Sequence, residues 1–157
     1  MKTRVVTLLL LRRGDEVLLA MKKRGFGAGR WNGVGGKLEP GETIEQAMVR
    51  ECQEEIGVTP TQYHKVAEHD FQELFDGEPM HMLVHAFVAS AWQGEPVETE
   101  EMAPRWFKVA ELPYDTMWAD DPHWLPQVLA GKRLRTTFVM NPDETVKDFT
   151  IMEVDKL

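Results

Sequence analysis

Three glutamates in the middle of the chain, Glu51, Glu54 and Glu55, are spaced so that they could hold a metal ion. Residues three and four positions apart are neighbours on one face of a helix. Adjacent carboxylates repel one another, and a hard divalent cation such as Mg²⁺ removes this conflict because it prefers oxygen ligands, completed by water and substrate phosphates. The alternative is a solvated acidic helix face, which three glutamates alone would favour.

The flanking residues predict the helix that carries these glutamates. Thr43 and Gln46 have the spacing of a capping box, so the helix should begin at about Ile44. Gly57 suits the left-handed position that closes a helix. An apolar stripe beside the acidic face can pack against a core, and it consists of Met48, Val49, Cys52 and Ile56.

The whole stretch 36–58 has the fixed residues of the Nudix box. Gly36 is followed after five residues by Glu42 and, seven residues later, by Arg50 and Glu51; the box then closes on Gly57. Every defined position is filled, with Cys52 where an aliphatic residue is more usual. A match over this many positions is a specific signal. The chain therefore resembles the Nudix hydrolases, which cleave nucleoside diphosphates linked to another group.

The elements around the box predict a mixed α/β architecture. Apolar runs, turn residues and a proline after aspartate predict a hairpin, a glycine-rich loop with a short strand, three further strands, a second helix and a terminal hairpin. The ranges are 4–12 and 16–22 for the first hairpin, 31–34 for the short strand, 65–74, 81–90 and 105–109 for the next strands, 122–129 for the helix, and 134–140 and 145–154 for the last hairpin. We expect one domain over 1–157, an α/β sandwich with mixed β-sheets; the resemblance implies the Nudix fold, an α/β/α sandwich.

Composition and charge restrict the partners. The 157 residues carry a net charge of -8, which disfavours binding to polymeric nucleic acid or to an anionic membrane surface. The single cysteine cannot form an internal disulfide and fits a reducing compartment. The apolar run near the N-terminus is short and lacks a small-residue cleavage site, so it reads as a buried strand. We expect a cytoplasmic monomer that acts on a small-molecule nucleoside triphosphate.

Outside the box, the chain resembles one branch of the family, the oxidised purine nucleoside triphosphate hydrolases, over nearly its full length. The matching stretches are 21–33, 77–79, 82–85, 93–98, 101–107, 117–121 and 153–155. The resemblance implies Mg²⁺-dependent hydrolysis, in which Mn²⁺ can substitute. Substrates of the 8-oxo-dGTP and 2-hydroxy-dATP type would yield the monophosphate and pyrophosphate.

The resemblance also carries over the catalytic residues. The metal ligands would be the Gly36 carbonyl and the carboxylates of Glu51, Glu54, Glu55 and Glu101. Glu42 would pair with Arg50 and brace the loop and helix. The metal would neutralise phosphate charge and lower the pKa of a bound water. The carboxylate that accepts the proton from that water is one of Glu54, Glu55 and Glu101, and the sequence leaves this choice open.

A base pocket follows from the same resemblance. Its residues would be Thr7, Phe26, Asn32, Phe71, Met82, Trp118, Asp120, Asp121 and Trp124, with Lys22 on a phosphate. Aromatic stacking tolerates any base, so selection must come from Asn32 and from the two aspartates, which can share one proton and so both donate and accept. Each assignment has an alternative: Asp121 as an N-cap before Pro122, core packing for Phe71, Met82 and Trp124, and an extended strand-end lysine for Lys22.

The chain also departs from the branch. The segment 71–82 is one residue longer, and Asp70, Gln72 and Asp76 make it more polar, so we expect a reshaped pocket wall. Two rival functions stay open. One is hydrolysis of another nucleoside diphosphate derivative, such as ADP-ribose, a dinucleoside polyphosphate or a capped RNA end. The other is a non-catalytic nucleotide-sensing module, which would not need the intact carboxylate cluster.

Overall fold

A computed structural model of the chain describes residues 2–157. Its strands are β1 Lys2–Arg13, β2 Glu16–Lys22, β3 Trp31–Asn32, β4 Thr59–Phe75, β5 Glu78–Gln93, β6 Met102–Lys108, β7 Arg133–Met140 and β8 Val146–Val154, and its helices are α1 Ile44–Ile56 and α2 Asp121–Leu129. Within residues 2–157, neither helix has the length and apolarity needed to cross a bilayer.

All eight strands belong to one mixed sheet. Seven follow the order β3-β2-β1-β5-β4-β7-β8, and β6 pairs with β2. The pairs β1–β5 and β4–β7 are parallel, while the remaining pairs are antiparallel. The predicted first and last hairpins, β1–β2 and β7–β8, are both present, and the prediction of a mixed sheet is confirmed.

The two helices cover opposite faces of the sheet. Successive residues of a strand point to opposite faces. Leu9 and Leu11 of β1 accordingly pack in the cluster that holds Met48, Cys52 and Ile56 of α1, whereas Leu10 packs in the cluster that holds the apolar residues of α2. Each large apolar side chain buried in this way contributes about 1.5–3 kcal/mol. The predicted α/β/α sandwich is therefore confirmed.

Helix α1 begins and ends where the sequence predicts. The Thr43 hydroxyl accepts the Gln46 backbone N–H at 3.1 Å, and the Gln46 side chain accepts the Thr43 N–H at 2.9 Å. Gly57 closes the helix in the left-handed conformation. The predicted apolar stripe is buried against the sheet, with Val49 only partly covered. The acidic face of the helix is consequently held in a fixed orientation beside the glycine-rich loop, residues 25–36.

Strands β4 and β5 are longer than predicted, at 17 and 16 residues. Between them, where the predicted strand ranges leave residues 75–80 unpaired, lies a two-residue turn in which Asp76 and Gly77 both have positive φ. Such a turn matches the twist of the flanking strands and lets pairing continue to its edge. Smaller differences concern β6, which lies at Met102–Lys108, and β3, which is limited to Trp31–Asn32.

The start of α2 also differs from the prediction. The helix begins at Asp121 and not at Pro122, and Asp120, the residue before it, makes no side-chain capping bond. Asp121 instead accepts the backbone N–H of Trp118, at 3.2 Å. The N-cap interpretation of Asp121 is therefore wrong, because Asp121 is the first residue inside the helix and its carboxylate accepts an N–H from before the helix, not from its first turn.

Candidate active site

A single cavity of about 590 Å³ connects the region of α1 to the start of α2. Cavities of this size hold small-molecule ligands. All ten residues predicted to contact substrate line it: Thr7, Lys22, Phe26, Asn32, Phe71, Met82, Trp118, Asp120, Asp121 and Trp124. Of the predicted metal ligands, Gly36 and Glu55 line the cavity, whereas Glu51, Glu54 and Glu101 do not. We call the part near Glu55 the glutamate end and the part near Asp120 the aspartate end.

Close packing between β1, the glycine-rich loop and α1 forms the glutamate end. The Gly36 carbonyl accepts the Thr7 backbone N–H at 2.9 Å, and the Glu55 carboxylate accepts the Gly35 N–H at 2.8 Å. A Cβ at position 36 would lie 2.7 Å from the carboxylate carbon of Glu51. Any other residue there would displace the Glu51 carboxylate, because the backbone approaches the carboxylates directly.

Arg50 lies among the carboxylates of the glutamate end. Its guanidinium donates to both carboxylate oxygens of Glu42, at 2.7 and 2.8 Å, so the predicted brace is confirmed. This hydrogen bonding lowers the pKa of Glu42 to about 2. The same guanidinium also donates to Glu51 at 2.8 Å and to Glu54 at 3.2 Å. Arg50 therefore positions two of the predicted metal ligands, Glu51 and Glu54, in addition to its pairing with Glu42.

Burial makes this cluster electrostatically costly. Burial raises the pKa of Glu55 to about 8, and the negative charges of Glu51 and Glu101 raise it further. The hydrogen bond from the Gly35 N–H acts in the opposite direction. Burial also raises the pKa of Glu51, although Arg50 opposes it. Carboxylates that repel one another and lose water are stabilised by a bound cation.

The donor set of the glutamate end fits a hard divalent cation. Carboxylate and carbonyl oxygens are the ligands that such cations prefer. Among residues 2–157, however, no three acidic, histidine or cysteine side chains are arranged as a ready metal-binding group. The reason is visible in the contacts: Arg50 engages Glu51 and Glu54, and the Gly35 N–H engages Glu55. Glu101 is exposed beside them, where its backbone carbonyl accepts the Lys23 N–H at 2.9 Å.

Aromatic rings border the mouth of the cavity. The rings of Phe26 and Trp118 lie 5.2 Å apart, and the Arg30 guanidinium lies 4.1 Å above the Trp118 ring. Phe26 is 62% exposed, which is unusual for a large apolar side chain and places it at the cavity mouth. Arg30 also forms an ion pair with Glu144 of the β7–β8 turn at 2.6 Å. The mouth is thus bordered by segments from distant parts of the chain.

The aspartate end holds two buried carboxyl groups. Asp120 is 5% exposed and Asp121 3%. Asp120 accepts the indole N–H of Trp124 at 2.9 Å. Trp124 therefore has two roles, because its ring also packs in the hydrophobic core. Burial raises the pKa of both aspartates, and the charge of Asp120 raises that of Asp121 further. This is the direction that a shared proton requires.

Six polar residues of the cavity were missed by sequence reasoning: Arg4, Arg30, Lys37, His69, Glu73 and Glu144. His69 and Glu73 were detectable, because they are two residues from Phe71 on β4 and alternate residues share a face. The expectation about the polar wall was partly wrong. Asp70, Gln72 and Asp76 lie outside the cavity lining, where Asp70 contacts His81 at 2.7 Å. The polarity of the wall comes instead from His69 and Glu73.

Comparisons with known proteins agree with this geometry. The NUDIX domain model matches residues 1–128. Proteins named oxidized purine nucleoside triphosphate hydrolase are 44% identical to the chain: one from Danio rerio over 155 residues (99% of this chain and 98% of the relative), and one from Mus musculus over 153 residues (98% and 97%). The crystal structure of a MutT protein from Bacillus halodurans superimposes with a TM-score of 0.81 at 28% identity, covering 94% of this chain and 97% of that one.

The matched region includes the complete box 36–58, the cavity-lining part of β1 and the aspartate pair. Nudix hydrolases use a divalent metal ion, which the oxygen-rich glutamate end suits. The chain belongs to the Nudix hydrolase family.

Proposed function

We propose that this protein is a Mg²⁺-dependent hydrolase that converts oxidised or otherwise modified purine nucleoside triphosphates to the monophosphate and pyrophosphate. The observation that carries the proposal is the continuity of one cavity from the glutamate end to the buried aspartate pair. A triphosphate needs a metal and its oxygen ligands at one end, and a purine needs a flat apolar wall with a few polar groups at the other. The relatives named above support the choice of substrate class.

At the glutamate end, each residue has a separate task in this proposal. Glu51, Glu54 and Glu55, with the Gly36 carbonyl and Glu101, would hold the metal, which supplies charge neutralisation on the phosphates and a more acidic water. Arg50 keeps the acidic face of α1 in place through Glu42. Lys22 lines the same end and supplies a positive charge for a phosphate oxygen.

At the aspartate end, the proposal assigns stacking to Trp118 and hydrogen bonding to Asn32, Asp120 and Asp121. A protonated carboxyl group donates and an ionised one accepts. The pair can therefore bind an N–H and a carbonyl of the base at the same time. Rearranging the shared proton would let one site accept both oxidised guanine and oxidised adenine.

The same proposal includes a monomer that works in the cytoplasm on free nucleotides. The net charge of -8 supports small nucleotides over polymeric nucleic acid, because an acidic protein repels a polyanion. Sedimentation at working concentration tests the monomer.

The deciding experiment is kcat/KM with Mg²⁺ for a panel of nucleotides, with identification of the products. The panel contains 8-oxo-dGTP, 2-hydroxy-dATP, N6-methyl-dATP, O6-methyl-dGTP, dGTP and ADP-ribose. We expect at least a tenfold preference for a modified purine triphosphate over dGTP, with release of pyrophosphate. Tenfold corresponds to about 1.4 kcal/mol, which one or two polar contacts supply. Preference for ADP-ribose, or no turnover, would refute the proposed substrate class.

A further inference from the structure

A buried histidine lies in the floor of the cavity beside the aspartate end. His69 is only 2% exposed and lines the cavity together with Phe71 and Glu73 from the same face of β4. Its ring centroid lies 4.3 Å from that of Trp124, which in turn donates to Asp120. His69 is therefore packed against the residues that the proposed function assigns to the base.

One ring nitrogen of His69 is held and the other is not. Nδ1 forms a hydrogen bond of 2.6 Å with the hydroxyl of Thr136, its register partner on β7. Nε2, at the tip of the ring, is buried and has no hydrogen-bond partner among the described residues. Burial lowers the pKa of His69 to about 3, so the imidazole is neutral at physiological pH. A neutral imidazole has one donor nitrogen and one acceptor nitrogen.

The unpaired Nε2 destabilises the folded protein unless a ligand provides its hydrogen-bond partner. A buried polar atom without a partner destabilises the folded protein, and such atoms are few in native proteins. The neighbours Phe71, Trp124 and Phe138 are aromatic, so an apolar side chain would fit among them without this cost. Thr136 is itself buried, and within residues 2–157 its side chain forms one hydrogen bond, the one that fixes the histidine ring.

We propose that His69, oriented by Thr136, is a further specificity-determining residue: a small shift of the rings around it exposes Nε2, which has almost no accessible surface in the free protein, to a hydrogen bond with the polar edge of the bound purine. This inference rests on the proposed function, because it identifies one more group that recognises the purine base by a hydrogen bond. The Thr136 hydroxyl can donate to Nδ1 or accept from it. Nε2 is correspondingly a donor, which suits a base carbonyl, or an acceptor, which suits an exocyclic amino group.

The test measures selectivity, because a purely structural histidine would change stability without changing the choice of base. The variants are His69→Phe, which keeps a flat ring and removes both nitrogens, His69→Gln, which restores a polar tip, and Thr136→Val, which removes the hydroxyl that orients the ring. The matched control is His64→Phe, on the same strand but outside this cavity. For each, kcat/KM is measured for 8-oxo-dGTP, 2-hydroxy-dATP and dGTP.

We expect His69→Phe to lower the ratio of kcat/KM for the modified purines over dGTP about tenfold, mainly through KM, because one hydrogen bond to the base is lost. His69→Gln should recover part of the ratio, Thr136→Val should lose part of it, and His64→Phe should match wild type. Unchanged ratios in folded His69 variants would overturn this inference and leave the proposed function standing. A wild type with no preference for modified purines would overturn both.

A second measurement does not depend on catalysis or on folding of the variants. The ¹⁵N resonance of His69 Nε2 in the wild-type protein is followed during titration with 8-oxo-dGMP, the expected product, without metal. We expect a shift at His69 that saturates with binding, and none at His64. Saturated binding with an unmoved His69 resonance would contradict the proposed hydrogen bond.

Discussion

The two ends of the cavity hold carboxylates in opposite surroundings. At the glutamate end, Arg50 contacts Glu42, Glu51 and Glu54, and Glu54 is open to solvent, although Glu55 is as buried as the aspartates. At the aspartate end, the carboxyl groups are almost fully buried, and their donors are the indole of Trp124 and the backbone of Trp118. Charged carboxylates beside a cation suit a metal and phosphates, whereas buried ones favour protonation and suit an uncharged base. The same chemical group therefore has a different task at each end.

The largest expected effect comes from neutralising the glutamate end. Glu54→Gln and Glu55→Gln should each lower kcat by about 10²–10⁴-fold for every substrate, because metal ligation and proton acceptance at this end serve the phosphates alone. Steady-state kinetics on 8-oxo-dGTP and dGTP measure the loss.

Glu45→Gln is the matched control for these variants. Glu45 lies in the first turn of the same helix and contacts the Tyr63 hydroxyl at 3.1 Å, outside the cavity. Its kinetics should equal those of wild type. A Glu54→Gln variant as fast as wild type would remove the basis for the metal-site assignment.

At the aspartate end the expected effect is selective. Asp121→Asn should lower kcat/KM for modified purines at least tenfold more than for dGTP, because an amide cannot exchange a proton with Asp120. If this variant instead slows all substrates equally, the aspartate end does not select the base and the two ends do not have separate tasks. Asp115→Asn, in the exposed turn before α2, is the control and should leave the selectivity unchanged.

The aspartate pair also makes folding stability depend on pH. The folded protein raises the pKa of Asp121 above its ordinary value of 3.8, since burial disfavours the charge. The stability that this carboxyl contributes is therefore present below pH 3.8 and is lost as pH rises through its folded pKa. Asp121→Asn does not titrate, so its free energy of unfolding should exceed that of wild type by about 1–3 kcal/mol at pH 8, and less at pH 4.

Urea denaturation of both proteins across this pH range measures the difference between them, which cancels the titration of all other groups. A difference that stays constant with pH would show that the carboxyl is not protonated in the folded state.

Local patterns made most of the fold predictable. The capping box of α1 depends on Thr43 and Gln46, three residues apart, and the alternation of Leu9 and Leu10 between two cores depends on a period of two. Both are short-range rules that the surrounding structure reinforces. The β4–β5 turn was misjudged because Glu78 and Pro79, which are uncommon in strands, hid the start of β5, although Asp76-Gly77 is a favoured pair for a two-residue turn.

The candidate site was predictable where a motif fixes several residues together, as in the box 36–58. The His69–Thr136 contact was not, because it joins strands that become neighbours only through a parallel pairing of β4 and β7. Arg30 and Glu144 were missed for the same reason. Side-chain pairs that depend on the register of distant strands leave no periodic signal in the sequence.

The smallest expected effect concerns the ion pair between Arg30 and Glu144, which borders the mouth of the cavity. Arg30 and Glu144 are 34% and 40% exposed, and ion pairs of this kind contribute about 0.2–1 kcal/mol. Glu144→Gln should therefore raise KM for 8-oxo-dGTP about two- to fivefold with unchanged kcat, because Arg30 loses the partner that holds it over Trp118. Salt screens exposed charges, so wild type and variant should converge at high ionic strength. Glu153→Gln, whose partner Lys132 lies 4.0 Å away and outside the cavity, should behave as wild type. A changed kcat would instead connect the mouth to the chemistry at the glutamate end, and the two ends would then no longer be independent.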